Sequence, residues 1–161
     1  SAILGANAAA AGISVIDAAS LVGGDDITLT LSAFTAALTI ATGDGDDTVV
    51  LGSGGSVLTT GAGSATVTVG AANDGLTNDD ITTGGADDLI KLTDAQLTAA
   101  LQVAAGGGTD TLEITTDASV EDATLAGLGD LEVLRLAADA GDGAQSVTLG
   151  AAALAAGLTM V

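Results

Sequence analysis

Phe34–Thr48 reads FTAALTIATGDGDDT, and Leu97–Thr111 reads LTAALQVAAGGGTDT. The two stretches pair at every position without a gap, at an offset of 63 residues, which is three units of 21. Self-similarity at a fixed period of that size is the signature of stacked repeats, in which each unit buries its apolar face on the next. Both stretches contain a glycine-rich turn carrying aspartate. In the first, a β-branched apolar run follows at once.

Outward from there, the turn recurs as VGGDDI (22–27), TGDGDDTV (42–49), TGAGSATV (60–67), TGGADDLI (83–90), AGGGTDTL (105–112), AGLGDLEV (126–133) and AGDGAQSV (140–147). Its acidic position aligns at Asp26, Asp47, Ala65, Asp88 and Asp110, with spacings of 21, 18, 23 and 22 residues. One such spacing is one solenoid coil. After each turn comes a short run of period-two alternation, as in TVTV (66–69), LIKL (89–92) and VLRL (133–136). That pattern predicts a strand with one buried face and sets Lys91 and Arg135 outward.

Before the turns lie second segments, LTI (38–40), VLT (57–59), DIT (80–82) and LQV (101–103). Here DAQLTAALQVAAGG (94–107) also fits a helix, with Asp94 as N-cap and Leu97 and Leu101 as its apolar positions. Its aligned partner FTAALTIATG (34–43) places β-branched residues where a helix gains nothing, which favours strand. Two strands per coil of roughly 20 residues predict an all-β fold, a parallel β-solenoid, with 1–161 as a single module. The alanine-rich leaders ANAAAAG (6–12) and AAALAAG (151–157) admit a helical turn.

A second match sets LGANAAAAGISVI (4–16) on LGAAALAAGLTMV (149–161), at an offset of 145. The sequence ends as it begins, inside a repeat. Its opening lacks an initiator Met and a basic region, so it reads as a cut within a longer chain. Neither end reads as the polar cap a solenoid normally needs, and copies, or neighbouring repeats of the same chain, are expected to continue one another head to tail.

Composition narrows the function classes. Of 161 residues 48% are apolar but 1% aromatic, so Ala, Val, Leu and Ile supply nearly all the packing. The formal charge of −19 sets 21 acidic residues against Lys91 and Arg135 alone, a field that repels nucleic acid and anionic membrane surfaces. With no Cys there is no disulfide framework and no thiolate metal site. The longest apolar run, 149–161, is too short to span a bilayer, and glycine interrupts it.

The turns resemble the nonapeptide G-G-x-G-x-D-x-U-x of the repeats-in-toxin family of secreted bacterial proteins, U being a large aliphatic residue. TGDGDDTVV (42–50) departs from it only at Thr42, AGGGTDTLE (105–113) only at Ala105, and TGGADDLIK (83–91) at Thr83 and Ala86. The leader LGANAAAAGISVIDAAS (4–20) is similar to the low-complexity surface-layer and adhesin chains that carry such repeats. The resemblance implies calcium held between turns of neighbouring coils, with Asp26, Asp47, Asp88 and Asp110 as carboxylate ligands. Asp26 over Asp47 and Asp88 over Asp110 form the implied vertical pairs. Asp25, Asp44, Asp46 and Asp87 are further candidates. Calcium takes six to eight hard oxygen ligands, more than one short turn offers, which agrees with ligands drawn from two stacked turns. Gly and Asp are also ordinary turn residues, and NDGLTNDD (73–80) reads as a solvated loop.

Three function classes follow. The favoured one is a structural module of a secreted bacterial surface layer, adhesin stalk or extracellular filament. Ice binding is the alternative, on the threonine pairs of TLT (28–30) and TVT (66–68), which the sequence does not place in register. A polysaccharide-cleaving β-helix enzyme is the remote one, since paired carboxylates suffice for glycoside hydrolysis. Here they fall in periodic turns, with no His, Cys, Tyr or Trp beside them.

Overall fold

The computed structural model describes residues 2–21, 24–70, 78–116, 118–137, 143 and 145–159. In chain order the elements are β1 (Ala2–Ile3), α1 (Ala6–Ala10), β2 (Val15–Asp17), β3 (Thr28–Thr30), β4 (Thr39–Ala41), β5 (Asp47–Val50), β6 (Val57–Thr59), β7 (Ala65–Thr68), β8 (Asp80–Thr82) and β9 (Leu89–Leu92). They continue with β10 (Gln102–Ala104), β11 (Thr111–Ile114), β12 (Ser119–Val120), β13 (Leu128–Gly129), β14 (Val133–Leu136), β15 (Ser146–Val147) and α2 (Ala151–Ala156). All pairings are parallel. A long sheet runs β1-β3-β5-β7-β9-β11-β14, a second runs β2-β4-β6-β8-β10-β13, and β12 pairs with β15. Each full coil passes from the long sheet through a return to the second sheet, then through the glycine corner into the next coil. The chain is a parallel β-solenoid of about five turns.

Alternation explains the core. On the long sheet Leu29, Val49, Val67, Ile90, Leu112 and Leu134 stack in register, each at most 4% exposed. They face the stacked Ile40, Leu58, Ile81 and Val103 of the second sheet. Each apolar side chain lies between like neighbours one coil above and below, so short strands of small residues still bury a continuous core. Phe34, 1% exposed, fills the return of its coil.

The segment that also fitted a helix divides in two. Asp94–Gln96 is a 3-10 helix closed by a capping box between Thr93 and Gln96, and Gln102–Ala104 is strand β10. Thr93 therefore takes the N-cap place expected for Asp94. Both alanine-rich leaders contain short helices.

Register corrects the threonine reading. Thr28, Thr48 and Thr66 occupy one outward column, and Thr30 and Thr68 a second, with Val50 between them. Further along, Leu89 interrupts the first column before Thr111, and Lys91 and Glu113 take the second, so the unbroken run of threonines ends after three coils. Lys91 and Arg135 flank Glu113 from neighbouring strands and both form ion pairs with it.

Candidate carboxylate column at the glycine corner

The corner between the two sheets is set by close backbone approach. An added Cβ at Gly61 would lie 2.2 Å from the Gly43 carbonyl oxygen, and one at Gly84 would lie 1.7 Å from that of Gly61. No side chain fits between turns so near. Left-handed φ is not what Gly61 and Gly84 require, whereas Gly106 (φ +86°) and Gly108 (φ +129°) of the same corner adopt it. The turns also bond one another directly, the Gly61 N–H donating to the Gly43 carbonyl at 3.0 Å and the Gly107 N–H to the Gly84 carbonyl at 3.0 Å.

The candidate aspartates separate into two columns. Asp47, Asp88 and Asp110 point inward and are at most 2% exposed. Each directs Oδ1 back at a backbone amide one coil earlier. The Ile27 N–H donates to Asp47 at 2.9 Å, the Ala65 N–H to Asp88 at 2.7 Å and the Asp88 N–H to Asp110 at 2.8 Å. Glu132 continues the column by accepting the Asp110 N–H at 2.8 Å. A carboxylate accepting a buried amide forms a charge-assisted bond, worth about 1.5–3 kcal/mol. Where Ala65 interrupts the column, the Asp47 N–H donates instead to the Ser64 carbonyl at 2.9 Å.

Asp26, Asp44, Asp46 and Asp87 are exposed and reach the other way, toward the following coil. They accept the amides of Asp46 (2.8 Å), Ala62 (3.3 Å), Ser64 (3.0 Å) and Thr109 (2.7 Å), respectively. Asp25 is exposed, and its backbone lies against Gly45. The expected pairing of Asp26 with Asp47 is corrected. Thr28 aligns with Thr48, so Asp26 lies over Asp46 and the inward slot above Asp47 holds Ile27. The turn 22–27 is one residue out of phase because Asp25 takes the place of Gly45. Asp88 does stack on Asp110.

The inward column pairs satisfied and orphaned atoms. The second oxygens, Oδ2 of Asp47, Asp88 and Asp110, are buried without a hydrogen-bond partner, as are the hydroxyls of Thr42 and Thr60 on the other side of the corner. Burial pushes the Asp110 carboxyl up to about 6, helped by the charges of Asp88, Glu132 and Asp87, against the Asp88 amide that lowers it. Burial likewise raises Asp88, against the Ala65 amide that lowers it, with the charge of Asp87 adding to the rise. Among the described residues no three carboxylates gather closely enough to hold one ion by themselves.

Three acidic residues escaped the sequence reading. Glu132 was hidden because the turn 126–133 aligned Leu131 with the acidic slot, whereas Val133 pairs with Thr111 and shifts the slot by one. Asp79, expected within the solvated loop 73–80, is instead 2% exposed and accepts the Ser56 N–H at 2.7 Å on the second sheet. Asp122 caps α2 from the preceding coil, accepting the amides of Gly150 (2.7 Å), Ala153 (2.9 Å) and Ala152 (3.1 Å). The Ala153 and Ala152 amides hold its carboxyl below the usual aspartate range. Its contribution is present above that range and lost as pH falls through the lowered value. Asp122→Ala should speed amide exchange at Ala152 and Ala153, and acid should lower their protection relative to the intrinsic exchange rate at that pH, while β7 and β9 stay protected. Uniform exchange across the chain would argue against a local cap.

Residues 73–77 of the acidic loop, 22 and 23 of the first turn, and 140–142 and 144 of the last turn lie outside the described residues. A cleft beside the long sheet, lined by Val50, Thr68, Lys91, Thr93, Gln96 and Thr115 among others, carries no carboxylate among its described lining residues. No helix among the described residues is long and apolar enough to cross a membrane. No protein-family model matches the chain, and no curated protein or solved structure shows significant similarity to it.

Proposed function

We propose that this β-solenoid is a structural module of a secreted bacterial surface assembly, stabilised by calcium at its inward carboxylate column. The observation that carries the reading is the stack of buried, unpartnered Oδ2 atoms on Asp47, Asp88 and Asp110. A buried anionic oxygen without a partner is costly, and a hard divalent cation is the partner that such oxygens select. Asp88 and Asp110, adjacent in the column, would hold one ion together with carbonyls of the glycine corner. Asp47, next to Ala65, would contribute a weaker site. When bound, calcium supplies positive charge to a chain whose net charge is −19. Carboxylates arranged along the axis, away from the cleft, suit a scaffold better than hydrolysis, which needs two of them across a scissile bond. Calcium at the concentration found outside cells and a cysteine-free chain both fit export.

Titration calorimetry with calcium tests the site. Asp88→Ala or Asp110→Ala should weaken binding at least about tenfold, and Asp47→Ala less. Asp46→Ala, in the exposed column, should leave the affinity within about twofold. Equal losses at all four positions would assign the effect to bulk charge and dismiss the column as a site.

A further inference from the structure

Two segments of this chain are one element seen from opposite sides. Leu4–Ile16 and Leu149–Val161 are identical at seven of thirteen positions. Their described parts fold alike, a glycine leading into a short helix that ends at a left-handed glycine, Gly12 at φ +76° and Gly157 at φ +96°. The closing bonds coincide as well. Gly12 N–H donates to the Ala9 carbonyl at 3.1 Å, and Gly157 N–H to the Leu154 carbonyl at 3.2 Å.

Their outside contacts are complementary. The first segment is held by the coil that follows it: Leu4 N–H donates to the Thr30 carbonyl at 3.1 Å, and Thr39 N–H to the Ser14 carbonyl at 2.9 Å. The second is held by the coil that precedes it. Leu131 N–H donates to the Ala156 carbonyl at 2.9 Å, Thr159 N–H donates to the Glu132 carbonyl at 2.9 Å, and Asp122 caps the helix. Ala156 is 0% exposed whereas its counterpart Ala11 is open to solvent. Conversely, Ala9 packs toward the core while its counterpart Leu154 is 78% exposed. Among the described residues, Ile3, Ile13, Val15 and Leu21 of the first coil and Leu149 and Leu154 of the last are exposed large apolar side chains, with Val57 alone between them.

We infer that 4–16 and 149–161 are the same coil of a 145-residue period, and that the open face of 4–16 docks on the 119–137 coil of a preceding copy of this chain, in the place that copy's own 149–161 otherwise holds. The occupant is identified by the chain itself, because that coil already carries this element once. In the junction Asp122 of one copy caps Gly5 and Asn7 of the next, the counterparts of Gly150 and Ala152, and Ala11 fills the place of Ala156. One segment covered on both faces replaces two that are each covered on one. The inference deepens the structural-module reading by naming its partner. It does not depend on calcium, so the two fail separately.

The test is a chain in which residues 1–145 directly precede the complete 161-residue sequence, so that two periods share one coil. Amide exchange at Gly5 and Asn7 of the downstream unit is expected to slow at least about tenfold relative to the unextended protein. Asp122→Ala in the upstream unit should abolish the slowing. So should Ala11→Asp in the downstream unit, a change the unextended protein tolerates because Ala11 is exposed there. The downstream unit is the whole protein, and its strand amides report that it is folded. Exchange at Gly5 and Asn7 that is unchanged by the extension, or slowing that survives both substitutions, overturns the inference.

Discussion

Chelation of calcium is expected to loosen the chain to a largely disordered state, and millimolar calcium to restore a β-rich circular dichroism spectrum with a cooperative melt. Nineteen net negative charges in one compact stack repel each other, and the unfolded chain relieves that repulsion by spreading. The coils are packed by Leu, Val and Ile with a single aromatic residue, Phe34, and that burial must offset chain entropy of similar size, so the net margin is small. A cation bound only by the stacked form adds about 2.7 kcal/mol per site at one hundred times its dissociation constant. Two such sites are comparable with the roughly 5–15 kcal/mol stability of an ordinary domain.

The pH trend supplies an internal control. Asp110, pushed up to about 6, and Asp88, also raised, bind protons more tightly in the folded chain than in the unfolded one. Without metal, stability should therefore rise as pH falls from neutrality toward about 5, and decline as pH climbs through the Asp110 value. With calcium present the trend should reverse, since protons displace the ion. Identical spectra, melting temperatures and pH trends with and without chelator would dismiss the metal and leave the carboxylates as amide acceptors only.

Adjacent glycines should behave oppositely. Gly84→Ala places a Cβ 1.7 Å from the Gly61 carbonyl oxygen, and only separation of the two coils can relieve that contact. The expected cost is about 3 kcal/mol or more, as for overpacking against rigid backbone, a fall in melting temperature of about 10 °C. Gly85→Ala meets nothing within 4 Å and should change stability by less than about 0.5 kcal/mol. Matched thermal melts decide the point. Equal melting temperatures for the two variants would mean that the turns are not stacked at this distance.

The strands were legible because alternation is local. TVTV and LIKL announce one buried face whatever surrounds them, and the offset between 34–48 and 97–111 fixes how coils repeat. Register was less legible wherever a turn changes length. A single residue moves Asp26 from above Asp47 to above Asp46, and another substitutes Glu132 for Leu131 in the acidic slot. Such slips leave composition and periodicity untouched, and only the pairing of Thr28 with Thr48 or Val133 with Thr111 reveals them. The direction of each carboxylate was also out of reach. Asp46 and Asp47 are neighbours in sequence, yet alternation turns one to solvent and the other to the core. Asp122 caps a helix 28 residues away, a partnership that no local pattern encodes.

Between Asp47 and Asp110 neighbouring coils differ in length from 18 to 23 residues while the ladders of both sheets run on unbroken. From Asp47 to Asp110 the glycine corner keeps one span, so the whole difference is taken up by the returns on the opposite side. This stretch thus has one invariant seam and one editable edge. Lengthening a return costs little, about 0.6 kcal/mol for each doubling of a flexible loop. Foreign peptides grafted into the returns would emerge in a single file along the rod, spaced by the roughly 4.8 Å pitch of its strands. At Gly61 and Gly84 of the seam even a methyl group is excluded, so variation along the solenoid accumulates most easily on the side of the returns, and a uniform backbone can display a different surface at every coil.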